Sequence, residues 1–464
     1  MFSPFDTSLE SLAAPDLERL RDVAEGWYVE YKSELSKAVD IAKSISALAN
    51  THGGWVFYGV MEKSKEESVA GSFPGIVAKD ADGSLQRIRQ AVAQHMNPAA
   101  HFDARSVAGN GGSVGVDRVV ICVRVPRSLA APHVHSSGRI YRRVADGSEP
   151  VPENDRHLLE QLFRRADDLR KDFADWVGRD PEFSEGERKA PYLRLMLIAD
   201  PWGDELPWLE TSVAKLKPMF AETTGLVGSA PFDTIYTSSR GFVARQARNN
   251  DPHNLGLTWR LRESLVSDIY LPLNLHAADS PEWLLDVLRG YEQAERFVRL
   301  LQAKSYSSPR VVDLNFVFSL LVGVVEIQRR LLAAADWTKP YFVKARLLNV
   351  WRTVPFLDVD AVLEGFEADG LPVCLDDVVT APSGTDPETF QEISQMAEVK
   401  GEEARILLQA LVMLVPIARA WGLPLQLDRQ MEPPLFQRLQ EAGNRATAVQ
   451  ARKANEQGDG ARRV

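Results

Sequence analysis

The chain has 464 residues, 45% of them hydrophobic, enough for two or three domains with substantial cores. Its two cysteines, Cys122 and Cys374, exclude a disulfide framework and a cysteine-rich zinc site. The formal net charge of −10 does not advertise a polyanion partner, but it is uneven: −1 over residues 1–150 and −9 over the rest. The first third can therefore still present a basic face.

In chain order, Asp16 to Ala24 reads as a short amphipathic helix after Pro15. Trp27, Val29 and Tyr31 then alternate with Tyr28, Glu30 and Lys32, which predicts a strand with Glu30 and Lys32 on one face. Glu25 would point the other way by parity, but Gly26 permits a bend that re-aims it. Leu35, Ala38, Val39, Ala42, Ile45 and Ala49 recur at helical spacing. Asn50-Thr51-His52-Gly53-Gly54 is suited to ending that helix, and a cap explains Asn50 without any ligand. Trp55 to Val60 is continuously apolar, hence a strand buried on both faces. A second helix is predicted from Ser84 to Met96, then strands at 102–108, 117–125 and 139–144. The glycine-rich run Gly109 to Gly115 lacks a following Gly-Lys-Ser/Thr and reads as a hairpin connection, not a P-loop. Cys122, within Val119 to Val123, reads as a buried thiol.

A charged helix from Asn154 to Trp176 closes this first domain, and Gly178 to Lys189 reads as a linker. Beyond it come strands at 192–199, 232–247, 255–274 and 341–355, with helices at 312–335 and 387–421. Trp202, Trp208 and Trp283 read as core or interface residues. The polar end of the chain reads as disordered. The expected domains are thus 1–178, 188–438 and a tail at 439–464. No basic segment followed by an apolar one stands at the N-terminus, and the apolar stretch Ile406 to Ala418, interrupted by Gln409, is too short to span a bilayer. A cytoplasmic protein without a membrane partner is expected.

Two constellations carry chemistry. Glu25, Glu30 and Glu62 lie at the ends of adjacent predicted elements, and three convergent carboxylates suit a divalent metal that activates water beside a phosphate. The competing reading pairs Glu30 with Lys32 or Arg21. Downstream, alternation puts Arg139, Tyr141 and Arg143 on one strand face and Arg142 on the other, cations and an aromatic suited to phosphate contact and base stacking. Its competitor is a solvated edge strand with Tyr141 half-buried. His133 and His135 could add donors, but no third ligand makes them a metal pair.

Glu25, Glu30, Tyr31 and Lys32, then Ala49, Asn50, Thr51, Gly53 and Gly54, then Gly59, Val60, Met61 and Glu62 follow a known order. So do Asn97-Pro98, Pro132-His133, Gly138 to Arg143 and Gly147-Ser148. This first third resembles the Alba-like domain of the Schlafen family. Its pattern is Glu-Ser-x-x-x-Glu-Phe-Lys, a helix ending Ala-Phe-Ala-Asn-Thr-x-Gly-Gly, a strand, and Gly-Val-Asp-Asp. Met61 and Glu62 replace the usual Asp-Asp. The resemblance implies an α+β fold, an N-terminal mixed sheet with packed helices, followed by a larger, helix-rich α+β domain. It also implies nucleic-acid binding, RNA favoured and tRNA included, through Lys32, Arg139, Tyr141, Arg142 and Arg143. Family members that cleave tRNA place Glu25, Glu30 and Glu62 as catalytic residues binding Mg or Mn, and suggest a role in regulation or phage defence. One lobe of the family's two-lobed clamp implies a homodimer. The alternative is a non-catalytic nucleic-acid or nucleotide sensor whose C-terminal domain binds a protein partner.

Overall fold

In the computed structural model, residues 2–5, 7, 9–64, 66–144, 147–202, 207–221, 232–246, 251–277, 280–306, 308–423, 438–446 and 448–449 are described. The chain divides into two compact units, Met1–Asp172 with Trp202–Leu206, and Phe173–Pro201 with Pro207–Val464. Both mix helix and strand, as the α+β expectation required. No helix among the described residues is long and apolar enough to cross a membrane.

The first unit opens with two 3-10 helices, Leu9–Ser11 and Ala14–Asp22, the second where the sequence predicts a helix. There follow β1 (Val29–Lys32), α1 (Ala38–Asn50), β2 (Gly54–Tyr58), β3 (Met61–Glu62), β4 (Ala70–Ser72), β5 (Ile76–Val77), α2 (Ala81–His95) and β6 (Met96–Asn97). Then come β7 (Asp103–Ala108), β8 (Arg118–Val125), β9 (Val134–His135), β10 (Tyr141–Val144), β11 (Gly147–Pro152) and α3 (Arg156–Gly178). The sheet runs β1-β2-β8, with β5 and β7 also pairing β8. β1 and β2 are parallel, joined by the α1 crossover, and the other pairs are antiparallel. The Gly109 to Gly115 run is the β7–β8 hairpin connection, closed by Gly109 N–H donating to Arg118 O at 2.8 Å.

Both faces of this sheet are covered, which explains the unbroken apolar run of β2. Val56, Tyr58, Ile121 and Val123 pack with Ile41, Ile45 and Leu48 of α1 and Ile88 and Val92 of α2. Tyr31, Trp55, Phe57 and Cys122 pack on the other face with Phe5, Leu9, Leu17 and Leu20. Cys122 is a buried free thiol, its pKa pushed up to about 12 by burial.

The α1–β2 turn is set by close backbone approach. Trp55 N–H donates to Tyr28 O at 2.7 Å, and Gly54 sits at φ +150 with its missing Cβ directed at Tyr28 O, 2.3 Å away. A side chain there must push β1 off β2.

The second unit holds β12 (Tyr192–Ile198), α4 (Val213–Ala221), β13 (Thr234–Ser238), β14 (Gly241–Gln246), β15 (Leu257–Leu261), β16 (Ser267–Pro272), β17 (Leu275–Ala277), α5 (Trp283–Val287) and α6 (Ala294–Ala303). It continues with β18 (Arg310–Asp313), α7 (Leu314–Ala334), β19 (Tyr341–Leu348), β20 (Val354–Phe356), α8 (Asp360–Asp369), β21 (Val378–Ala381), β22 (Gln391–Ile393) and α9 (Glu402–Ala420). An antiparallel sheet runs β13-β14-β15-β16-β12-β19-β21, with β22 also on β19. The two long strands predicted at 232–247 and 255–274 are each a hairpin, broken at Gly241 and Leu265, both at positive φ. Positive φ at Asn349 and Arg352 likewise divides 341–355 into β19 and β20. α7 starts at Asp313, whose carboxylate accepts from Asn315 N and Phe316 N, and is buried along most of its length.

Trp208 and Trp283 are 64% and 50% exposed, which excludes the core but not the interface half of their expectation. One expectation is corrected outright in this unit. Residues 438–446 and 448–449, assigned by composition mainly to a disordered tail, are helical and bury Leu439, Ala446 and Val449 in the main core. Three apolar residues at helical spacing suffice where a core receives them. The rest of that tail, residues 450–464, lies outside the described residues.

Gly54→Ala should destabilise the protein by about 3 kcal/mol or more, from backbone strain and separation of β1 from β2. Gly83→Ala, in α2 with nothing within 4 Å of the new Cβ, should instead leave stability equal or slightly raised. Denaturant unfolding of both variants checks this, and equal loss from the two would contradict it.

Candidate nucleic-acid interface and carboxylate cluster

β1 is the edge of its sheet, so one side of its backbone lacks a neighbouring strand. Side chains take that place. Arg143, from β10, donates through Nε and Nη2 to Gly26 O at 2.9 and 2.6 Å, and through Nη2 to Val29 O at 3.1 Å. Its Nη1 donates to Oε2 of Glu30 at 3.0 Å. The other Glu30 oxygen accepts from Ser44 Oγ of α1 at 2.7 Å and pairs with Lys32 Nζ at 3.0 Å. Glu30 is 1% exposed and Arg143 is fully buried. This is a buried ion pair with both carboxylate oxygens engaged.

Glu25 and Glu62 are arranged differently. The bend at Gly26 returns the Glu25 carboxyl to the edge of β1, where it accepts from Tyr31 N–H. There it also meets the Glu62 carboxyl at hydrogen-bonding range. Burial first, then that bond to Glu62, pushes the Glu25 pKa up to about 8. Burial opposes the charge of Lys32, but Glu30 and Glu25 outweigh it and hold its pKa above the ordinary lysine value.

Of the three acids, then, Glu25 and Glu62 come together and Glu30 does not join them. Among the described residues no group of three His, Cys, Asp or Glu side chains is placed to hold a metal ion. Glu25 and Glu62 are two oxygen donors of the kind Mg or Mn prefers. Glu30 does not fit as the third, because Ser44, Lys32 and Arg143 occupy it.

The arginine strand is corrected in its orientation. Alternation holds, but Tyr141 and Arg143 face inward, Tyr141 being 8% exposed. β10 lies against α1: Thr51 Oγ1 accepts from Arg143 N at 2.9 Å, and Asn50 Nδ2 donates to Tyr141 O at 3.0 Å. Tyr141 packs edge-on to His135, with Lys43 Nζ over its ring at 5.4 Å. Arg142 pairs with Glu153 at 2.5 Å. Only Arg139 of the four is exposed.

Asn50 does not cap α1. Its amide instead bridges to β9, donating to His133 O at 3.1 Å and accepting from His133 N at 2.8 Å. His133 and His135 are buried, held by Pro98 O and Val39 O.

Sequence reasoning passed over the cations at the α1–β2 turn. Arg127 is exposed there, and half-buried Arg165 donates to Ser128 O at 2.8 Å and Asn50 O at 3.1 Å. Burial, then Arg127, lowers the Arg165 pKa to about 10. These arginines stand in separate segments, so no local run marks them.

Residues 25–152 match the family model described as Schlafen, AlbA_2. This segment is similar to the Schlafen AlbA_2 domain. The match begins at Glu25 and ends at the last residue of β11, so it takes in every motif on which the resemblance was drawn. Comparison with curated proteins gives no match. Among solved structures, the DIP2311 protein from Corynebacterium diphtheriae is 11% identical, covering 68% of this chain and 76% of its own, with a TM-score of 0.21.

Arg143→Ala should cost about 3–5 kcal/mol, since it removes the buried cation from the buried Glu30 side chain. Exposed Arg139→Ala should leave unfolding unchanged. Equal thermal melts for the two variants would refute the buried-pair account.

Glu25 gives a pH signature. Its folded pKa of about 8 stands above the ordinary 4.5, so between those values the native state holds the extra proton. Its contribution is therefore present at low pH and lost as pH rises through about 8. Glu25→Gln keeps an acceptor for Tyr31 N–H and a permanent donor to Glu62. The melting temperature of the variant relative to wild type should rise from pH 5 to pH 9. A difference independent of pH would show that the Glu25 pKa is not raised.

Proposed function

We propose that this protein binds nucleic acid through its first unit, with RNA the favoured class and tRNA among the candidates, as a binding or sensing module. The observation that carries the reading is the Schlafen AlbA_2 match over residues 25–152. The charge distribution agrees with it, since residues 1–150 are near neutral while the remainder carries most of the negative charge. Exposed Arg139 and Arg127 can meet phosphates without breaking a buried contact. Lys32 is half-exposed and already tied to Glu30, so it would serve phosphate second.

A Mg- or Mn-dependent endonuclease is the second reading, favoured by the meeting of the Glu25 and Glu62 carboxyls. The engagement of Glu30 by Arg143, Lys32 and Ser44 weighs against a three-carboxylate centre. A homodimer completing a groove, a protein partner for the acidic second unit, and a role in regulation or phage defence extend the reading by family resemblance.

Fluorescence anisotropy with labelled tRNA, single-stranded RNA and duplex DNA tests it. Binding to RNA should weaken linearly in log affinity against log salt, and Arg139→Ala should flatten that slope by about 0.7. No binding to any of the three would sink the reading. Metal-dependent cleavage by wild type that disappears in Glu62→Gln would move the conclusion to the nuclease.

A further inference from the structure

The α1–β2 turn presents aromatic rings to solvent that no part of the account above uses. Trp27 and Tyr28 are half-exposed and His52 is exposed. The His52 ring lies 5.3 Å from Trp27 at 66° and 5.9 Å from Tyr28 at 43°. Phe2, 39% exposed, stacks on Tyr28 at 5.1 Å and 26°. Three segments distant in sequence, at Phe2, Trp27–Tyr28 and His52, thus contribute to one exposed ring cluster.

The cluster is built on rigid backbone. Trp55 N–H grips Tyr28 O, and Gly54 allows the two segments to touch. Arg127 stands beside it, since a Cβ on Gly53 would fall 2.7 Å from the Arg127 backbone nitrogen. Burial, then Arg127, then Arg165 lower the pKa of His52, and Arg165 reaches the end of the same helix by donating to Asn50 O at 3.1 Å. A neutral imidazole and two aromatic rings, flanked by cations, is a surface that matches bases joined by phosphates. A buried core would not expose Trp27 and His52.

Resting on the nucleic-acid reading above, we propose that Trp27, Tyr28 and His52 form a base-stacking subsite for a single-stranded nucleic-acid segment, with Arg127 contacting its phosphate. Duplex bases are already stacked on each other, so unpaired bases are the fitting class.

The test uses the full chain and labelled strands of about 12 nucleotides, within the usual span of such sites. One strand bears bases, one of equal length is abasic, and each is made as RNA and as DNA where the chemistry allows. Trp27→Ala should weaken the base-bearing strand about tenfold and leave the abasic strand unchanged. Trp27→Phe should restore binding. Arg127→Ala, on the surface, should weaken both strands alike and reduce the salt slope by about 0.7. If wild type binds but folded Trp27→Ala, Tyr28→Ala and Arg127→Ala all bind equally well, this subsite is wrong and the general reading stands. If wild type binds no strand, both fall. Selective loss with RNA or with DNA alone would assign the sugar while upholding the subsite.

Discussion

The first unit depends on the Glu30–Arg143 pair. β1 is a four-residue parallel strand at a sheet edge, and such a strand has little of its own to hold it. Arg143 joins Gly26 O, Val29 O and the Glu30 carboxylate in one planar fork, while Ser44 binds the same carboxylate from α1. One guanidinium thereby fastens β1, α1 and β10 to each other. Buried charge is costly unless both partners are filled, and here they are. The arrangement fixes geometry as much as it adds stability, because few other side chains can donate to three acceptors in a plane.

Three acids close in the fold are handled in two opposite ways. Glu30 is ringed by two cations and a hydroxyl. Burial and the neighbouring Glu62 carboxyl instead push the Glu25 pKa up to about 8. Like charges in a partly buried site cannot both ionise cheaply. The contrast separates a structural carboxylate from a chemically responsive pair, a distinction that residue type alone cannot make.

The basic side chains divide along the same line. Arg143 and Arg142 are committed to carboxylates, while Arg139 and Arg127 reach solvent.

Local pattern was legible from the residues alone. Period-two alternation located β1 and paired Glu30 with Lys32; helical spacing located α1 and α2; the apolar run of β2 announced burial on both faces. Each depends on neighbours within a few positions. The turns inside 232–247 and 255–274 lie at the polar runs Thr237 to Gly241 and Arg262 to Ser264, and positive φ at Gly241 and Leu265 turns each segment back on itself. Which face of the arginine strand meets water was not legible. That was decided by α1 lying across it and by a carboxylate 113 positions away. The sequence by itself determined the elements and the inventory of acids and bases, since backbone preference and side-chain period are local. Only the tertiary structure decided which acid is paired, which has its pKa raised and which arginine stays exposed, because burial and charge partners come from segments the chain brings together only on folding.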